Sequence, residues 1–224
     1  MAERFETLTA VAAPYEPINV DTDQILPGRF LKMPRAEGYG QYLFHDLRQR
    51  ADGSQEAPFV LDQPAYRAAR IFVGNANFAC GSSREGAAYA FHDYGIRSVI
   101  APSFSDIFFN NCLRNGIVPV RLPDAECARL RALLRDRPGA QLTVDLRQQH
   151  VQDPDGHRAP FEIDDFFRQM LLDGIDEIGL TRRMMDDIAA FEQAYHRRWP
   201  WAAPAAPAGQ GPGPASAPAP RTPR

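Results

Sequence analysis

Short apolar segments alternate with amphipathic ones through the centre of the chain. Apolar runs at 71–73, 98–101 and 117–120 have the length and composition of buried strands. The segments between them, at about 83–93 and 104–115, have helical spacing. Strands that alternate with helices normally pair in parallel, because a helix returns the chain to the starting edge of the sheet. The pattern predicts an α/β fold.

The pattern changes after this parallel unit. A helix is predicted over 124–136, capped by the aspartate at its start, and alternation at 142–146 then indicates a strand. Turn-forming residues at 153–156 predict a hairpin whose second strand covers 159–163. Helices are predicted over 164–195. Two glycines are expected to interrupt these last helices, Gly174 and Gly179.

Length and composition indicate one globular domain. The chain has 224 residues, of which 44% are hydrophobic and 24% are charged, so a sizeable core is expected. From Pro200 onward nearly every residue is proline, alanine or glycine, a composition that favours extended, solvated backbone. We therefore expect a domain over 1–199 and a disordered tail over 200–224.

The charge balance indicates which kinds of partner the protein binds. A formal net charge of -3 argues against broad binding to nucleic acid or to anionic membrane, because both need clustered lysine and arginine. No apolar run is long enough to span a bilayer, and the first residues lack the order of a secretory signal. We expect a cytoplasmic protein whose partner is a small molecule or another protein.

The three cysteines are widely spaced, at positions 80, 112 and 127. Their odd number and their spacing suggest neither a disulfide framework nor a self-contained zinc or iron–sulfur site. Any metal that the chemistry needs is expected to come from elsewhere.

Residues 80–86 read Cys-Gly-Ser-Ser-Arg-Glu-Gly. This sequence predicts that Ser82, Ser83 and Arg84 lie at the first turn of a helix, where unpaired backbone N–H groups and the helix dipole favour an anion. Arg84 can also hold a carboxylate through two parallel hydrogen bonds. The residues predict a site for a small acid, although a serine N-cap beside a solvent-facing arginine would have the same sequence.

A serine in this setting could also move a proton. In a closed site, helix-start N–H groups and an adjacent cation could stabilise an alkoxide that takes a proton from carbon. A proton beside a carboxylate is only weakly acidic, so such a reaction also needs a Lewis acid. A nucleophile elbow and a P-loop are both disfavoured by the arrangement of the glycines.

A second group of polar residues lies in a predicted loop over 19–25 and just after it. Asp21 and Asp23 could bind a divalent cation, or they could accept hydrogen bonds from their own backbone. Lys32 and Arg35 flank an apolar pair, Phe30 and Leu31. These four residues could form an apolar wall with a cationic edge for a diacid that carries an alkyl group, or the two cations could be ordinary solvated charges.

Several segments of the chain resemble, in order, the small subunit of 3-isopropylmalate dehydratase, the aconitase-superfamily isomerase of leucine biosynthesis. The resemblance extends from about Leu8 to about Tyr195. It implies a swivelling β/β/α domain of the aconitase C-terminal type. The segments that carry the resemblance are 19–23, 77–85, 93–95 and 101–112.

The resemblance also implies a reaction and a partner. The domain would close over a separate large subunit that carries a [4Fe-4S] cluster, and the chain itself would bind no metal. The substrate would be a small diacid, since 2-isopropylmalate and 3-isopropylmalate would interconvert through isopropylmaleate by loss and return of water. The cluster iron would act as the Lewis acid on the substrate hydroxyl and carboxylate.

The same resemblance implies roles for individual residues. Ser82 would be the base that takes and returns the carbon-bound proton. Ser83 and Arg84 would hold a substrate carboxylate, and Asp23 would line the site. Lys32 or Arg35 falls where the specificity loop is expected.

Two positions depart from the family pattern, and other functions stay open. The family usually has glycine where this chain has Ala79 and histidine where it has Gly86. A paralogous hydro-lyase subunit for a related diacid, such as citraconate (methylmaleate), fits the departure at Gly86. A non-catalytic module that binds a diacid or regulates a partner is a second alternative, and a self-sufficient serine hydrolase is a third.

Overall fold

The computed structural model describes residues 3–49, 58–81 and 85–203. The chain divides into two compact units, Met1–Leu180 and Thr181–Arg224. In the described residues of the first unit, seven strands form one sheet in the order β4-β3-β2-β1-β5-β6-β7. The strands are β1 Thr7–Pro14, β2 Ile71–Val73, β3 Ser98–Ala101, β4 Val118–Arg121, β5 Gln141–Asp145, β6 His150–Gln152 and β7 Arg158–Pro160.

Helices connect and follow these strands. The α-helices are α1 Thr22–Ile25, α2 His45–Arg48, α3 Gly86–Tyr94, α4 Asp106–Arg114, α5 Asp124–Asp136, α6 Asp165–Asp173, α7 Glu177–Arg183 and α8 Met185–Arg198. In the ranges that the structure describes, 3-10 turns cover Gly28–Lys32, Arg35–Glu37, Gly40–Tyr42, Val60–Asp62 and Pro200–Ala202.

The sheet has a parallel half and an antiparallel half that share β1. Strands β2, β3 and β4 pair in parallel, which confirms the predicted pairing, and β1 adds to them in parallel beside β2. On its other side β1 pairs antiparallel with β5, and β6 and β7 continue that half. The parallel half exists because α3 and α4 carry the chain back after β2 and β3. The sheet is therefore mixed, with β1 in its interior.

Each face of the sheet has its own hydrophobic cluster. Neighbouring residues of a strand point to opposite faces, so Phe72 belongs to one cluster while Ile71 and Val73 belong to the other. On the Phe72 face, ring centroids of Phe72 and Phe91 lie 5.4 Å apart, and those of Phe91 and Phe108 lie 5.9 Å apart. Helix α3 covers this aromatic face, while α5 covers the opposite face.

Three local predictions differ from the structure, in the cap of α5, the extent of the hairpin and Gly179, and the prediction for Gly174 is confirmed. Helix α5 has the predicted bounds, but Pro123 occupies the cap position, and Asp124 is the first helical residue. The 153–156 turn does form a hairpin, whose strands are β6 and β7, and β7 ends at Pro160. Gly174 ends α6 in the left-handed region, with φ 65°. Gly179, in contrast, lies inside α7 and does not interrupt it.

The second unit contains most of the remaining helical segment. Helix α8 continues three residues beyond the predicted end at Tyr195, and none of its residues is buried. Pro200–Ala202, at the start of the predicted tail, forms a 3-10 turn. The rest of that predicted tail, 204–224, lies outside the described residues. Among the residues that are described, no helix is both long and apolar enough to cross a bilayer.

Candidate active site

Two loop segments run side by side where β1 and β2 end. Because these strands are parallel neighbours, their C-terminal ends meet at one edge of the sheet, the usual place for ligands in such folds. The Asn19 N–H donates to the Ala76 carbonyl at 3.0 Å, and the Thr22 N–H donates to the Cys80 carbonyl at 2.9 Å. We call these two segments, 15–23 and 74–81, the site edge.

Asp21 organises the first of these segments. Its carboxylate accepts the Asp23 N–H at 2.7 Å, and Gln24 Oε1 accepts the Asp21 N–H at 3.0 Å. This reciprocal pair is a capping box, and it starts the short helix α1 where a loop was predicted. Of the two alternatives for Asp21, the structure therefore supports bonding to its own backbone. Asp23 lies on α1 at the site edge, and it is exposed.

The backbone of the site edge is held in an uncommon conformation. Asn19, Asn77 and Ala79 all have φ between 54° and 56°, in the left-handed region. Asparagine tolerates this region better than alanine, for which it costs about 1–2 kcal/mol. The Asn77 side-chain amide donates to Asn19 Oδ1 at 2.9 Å and so ties the two segments together. Ala79 adopts the conformation that glycine accepts most readily.

Gly81 is the last residue described before the serine pair. Its φ is +90°, and a Cβ atom placed on it would lie 3.0 Å from Asp21 Cγ and closer still to one carboxylate oxygen. The Asp21 carboxylate therefore occupies the space that a side chain at position 81 would need. Glycine suits this position for two reasons: it accepts the positive φ, and it has no side chain to overlap with the carboxylate.

The three residues at the centre of the sequence motif, Ser82, Ser83 and Arg84, lie outside the described residues. On their C-terminal side, Glu85 Oε2 accepts the Tyr89 hydroxyl at 2.7 Å, and Glu85 Oε1 accepts the Asn115 amide at 3.3 Å. The helix that follows begins at Gly86. The positions of the predicted base and of its two neighbours in the site stay predictions.

Arg35 has a partner that was not predicted from the sequence, Asp93. Its guanidinium donates to both oxygens of Asp93, one of them at 2.9 Å, and lies 4.3 Å from the centroid of the Tyr89 ring. Asp93 also accepts the Tyr39 N–H at 2.7 Å. Burial alone would raise the pKa of Asp93, but these hydrogen bonds outweigh it, and the pKa is lowered. Arg35 therefore fastens its segment to α3, and its role toward a substrate stays a prediction.

Lys32 is the second of the two predicted cations. It is the last residue of the 3-10 turn Gly28–Lys32, it is exposed, and no described residue pairs with it. Phe30 and Leu31, the apolar pair before it, are half-buried and pack against the aromatic face. The predicted apolar wall is thus anchored in the core, with Lys32 exposed at its end.

We expect Asp93→Ala to lower the free energy of unfolding by about 2 kcal/mol, and Arg35→Ala by about 1 kcal/mol. Loss of Asp93 leaves both the Tyr39 N–H and the guanidinium without their acceptor, whereas loss of Arg35 leaves the Tyr39 bond intact. Urea unfolding of the two variants measures both values. Equal effects of the two substitutions would contradict this reading of the cluster.

The effect of Asp93→Ala should also depend on pH. A carboxyl group whose pKa is lowered by folding stabilises the protein above its unfolded pKa, here near 3.8, and loses that contribution as the pH falls through the folded value. The difference between the variant and the original chain should be full at neutral pH. It should shrink as the pH falls below about 4.

The cysteines do not form a cluster. Cys80 is half-buried at the site edge, while Cys112 and Cys127 are buried elsewhere. Burial raises the pKa of the Cys112 thiol, and it raises that of Cys127 to about 12. Within the described ranges, no three or more histidine, cysteine, aspartate or glutamate side chains are placed to hold a metal ion. The described residues therefore do not fit an iron–sulfur cluster.

Comparison with known proteins identifies the family. The family model of the aconitase C-terminal domain matches residues 2–125, and LeuD_N matches 128–165. The model of the C-terminal domain of the 3-isopropylmalate dehydratase small subunit matches 177–205. A 3-isopropylmalate dehydratase small subunit from Paramagnetospirillum magneticum is 51% identical over 199 residues, which cover 89% of this chain and 99% of the relative. The chain belongs to the 3-isopropylmalate dehydratase small-subunit family.

Other members of this family agree. A 3-isopropylmalate dehydratase small subunit from Rhodospirillum centenum is 50% identical over 200 residues, 89% of this chain and 98% of the relative. A crystal structure of 3-isopropylmalate dehydratase from Methanocaldococcus jannaschii superposes with a TM-score of 0.59 at 24% identity, covering 82% of this chain and 99% of that one. The resemblance to the small-subunit family and the aconitase C-terminal fold are confirmed.

Asp93 was assigned no role from the sequence, although the position of this residue in the chain indicates one. This residue lies near the end of α3, two positions before the left-handed Gly95 that caps the helix. A carboxylate is unfavourable there, because the C-terminal end of a helix dipole is negative. A charge in such a place indicates a specific cationic partner, which the structure shows to be Arg35.

Proposed function

We propose that this chain is the small subunit of a 3-isopropylmalate dehydratase. Together with a large subunit, it interconverts 2-isopropylmalate and 3-isopropylmalate by dehydration and rehydration through isopropylmaleate, as a step of leucine biosynthesis. The observation that supports this most directly is the 51% identity over nearly the full length of a relative that bears this name. A cytoplasmic location is part of the same proposal.

In this proposal the chain handles the proton and one carboxylate of the substrate. Ser82 takes the proton from the carbon beside a carboxylate and later returns it. Ser83 and Arg84 hold that carboxylate, since a hydroxyl and a guanidinium fork are suited to its two oxygens. Asp23 borders the site, and Lys32 closes it at the end of the Phe30–Leu31 wall. This placement is supported by the residues on either side of 82–84, because hydrogen bonds hold both the site edge and Glu85 in place.

The proposed partner is the large subunit, on which the [4Fe-4S] cluster would reside. When bound there, the cluster would supply a Lewis acid for the departing hydroxyl group. The chain's own residues would orient the diacid and exclude water from the serine. Neither Ser82 nor Arg84 acts as a metal ligand in this proposal.

Reconstitution tests the proposal. The purified full chain alone should form no isopropylmaleate from 3-isopropylmalate, as followed by ultraviolet absorbance under anaerobic conditions. Addition of the iron-loaded large subunit should produce activity, and the large subunit without iron serves as the control.

Two results would overturn the proposal. Activity of the chain alone would show that it needs no partner. A complex that hydrates citraconate but does not act on isopropylmalate would assign the chain to the paralogous hydro-lyases.

A further inference from the structure

The first residue of α3, Gly86, lies against two leucine side chains. A Cβ atom placed on Gly86 would lie 2.6 Å from Leu31 Cδ2 and 2.7 Å from Leu26 Cδ2. Carbon atoms in van der Waals contact lie about 3.5–4.0 Å apart. The two leucines therefore already fill the space that any side chain at position 86 would need.

Both leucines belong to the segment that forms the apolar wall. Leu26 follows α1 and is buried, and Leu31 lies in the 3-10 turn Gly28–Lys32. The turn is closed by two hydrogen bonds, from the Phe30 N–H to the Pro27 carbonyl at 2.9 Å and from the Met33 N–H to the Phe30 carbonyl at 3.0 Å. Leu26 is buried in the core cluster and has little room to move, so the overlap would be relieved at the half-buried Leu31 and at the turn that carries it.

The segment that carries the apolar wall, residues 26–40, is fastened to α3 at both ends of the helix. At the far end, Arg35 pairs with Asp93, and a Cβ atom on Gly40 would lie 2.6 Å from the Tyr94 backbone nitrogen. At the near end, the attachment is the contact of Leu26 and Leu31 with Gly86. This near attachment is the one that adjoins Glu85 and the serine pair in sequence.

We propose that Gly86 is a positioning residue for substrate binding. Its lack of a side chain sets how closely Leu31 packs on the start of α3, and so it fixes the apolar wall and Lys32 relative to the diacid. This inference rests on the proposed function and deepens it, because it names what places the surface that meets the alkyl group of the substrate.

Replacement by alanine gives a test in which two effects have opposite signs. Alanine in a helix is normally more stable than glycine. At position 86, however, alanine must displace two packed leucines, which is overpacking of the core. We expect Gly86→Ala to lower the midpoint of thermal unfolding by about 4 °C or more. Gly179→Ala in α7 is the matched control and should not lower it, because a Cβ atom there would lie 3.0 Å from one oxygen of the exposed Asp176 side chain and 3.5 Å or more from the other side chains around it.

Hydrogen exchange and kinetics report on the wall itself. In Gly86→Ala, the amides of Phe30 and Met33 should exchange several-fold faster. In the reconstituted complex, KM for 3-isopropylmalate should rise about threefold or more, while kcat changes less than twofold. A shorter side chain at position 31 should relieve the overlap, so Gly86→Ala combined with Leu31→Val should recover part of both losses.

The outcomes separate this inference from the function on which it rests. If exchange at Phe30 and Met33 and the KM are both unchanged in Gly86→Ala, the inference is wrong even though the complex is active. A lower melting temperature with an unchanged KM would make Gly86 a structural residue only, which also contradicts the inference. An inactive complex of the original chain would contradict the proposed function and the kinetic claim together, and the exchange result would still decide the packing claim.

Discussion

Ser82→Ala in the reconstituted complex is expected to lower kcat by about a hundredfold or more, with a much smaller change in KM. Removal of a general base typically costs 10²–10⁴-fold, about this range. Alanine keeps the backbone and most of the volume, so binding of the diacid through Ser83 and Arg84 should persist. Formation of isopropylmaleate measures the loss, and exchange of the carbon-bound proton with solvent reports the proton step itself.

Ser83→Ala is the matched control for this prediction. A residue that holds the carboxylate without moving the proton should affect KM more than kcat. Turnover of Ser82→Ala close to that of the original chain would remove the proposed base. A larger loss of kcat in Ser83→Ala than in Ser82→Ala would exchange the two roles.

Gly81→Ala is expected to lower the free energy of unfolding by about 3 kcal/mol, which corresponds to a fall of about 6–12 °C in melting temperature. The variant combines a non-glycine residue at φ +90° with overlap on the Asp21 carboxylate. Gly156 offers a matched control, since its φ is +86° and nothing lies within 4 Å of a Cβ atom placed there. Gly156→Ala should therefore lose only the conformational part, about 1 kcal/mol.

The comparison of these two glycines isolates the overlap. The effect of alanine on the unfolded chain is common to both variants, so it cancels in their difference. Asp21→Ser, which keeps a capping oxygen on a shorter side chain, should recover part of the loss in Gly81→Ala. Equal melting temperatures of the two alanine variants would show that the Asp21 carboxylate moves aside, and the account of the site edge would be wrong.

The parallel half of the sheet was predictable because its signals are local. Each of β2, β3 and β4 is a short apolar run, and the helices between them have a clear period, so a window of about 15 residues contains the signal of each element. The position of β1 between β2 and β5 was not predictable in this way. Its partners are distant in sequence, as in the hydrogen bond between Thr9 and Thr143, 134 residues apart.

The same distinction between local and distant signals applies to the residues of the candidate site. The motif with Ser82 at its centre is contiguous, and the sequence alone indicated its chemistry. The partner of Arg35 is 58 residues away, and the space beside Gly86 is filled by side chains from a different segment. Gly179 shows the converse, because a residue that usually ends helices is accepted inside α7. Propensity and motif are properties of a short window, whereas ion pairs and packing belong to the assembled fold.

The hydrogen bond between Asn77 and Asn19 spans 58 residues and has a consequence for the order of folding. Segment 15–23 leaves the ribosome before segment 74–81, to which this hydrogen bond joins it. The loop between them must close before the contact contributes any stability. Under the proposed function, a nascent chain that ends before β2 lacks segment 74–81 and is therefore not expected to bind the diacid. Under that proposal, binding is expected only once β2 and the segment after it have docked on β1, so a stalled or truncated product should compete neither for substrate nor for the proposed large subunit.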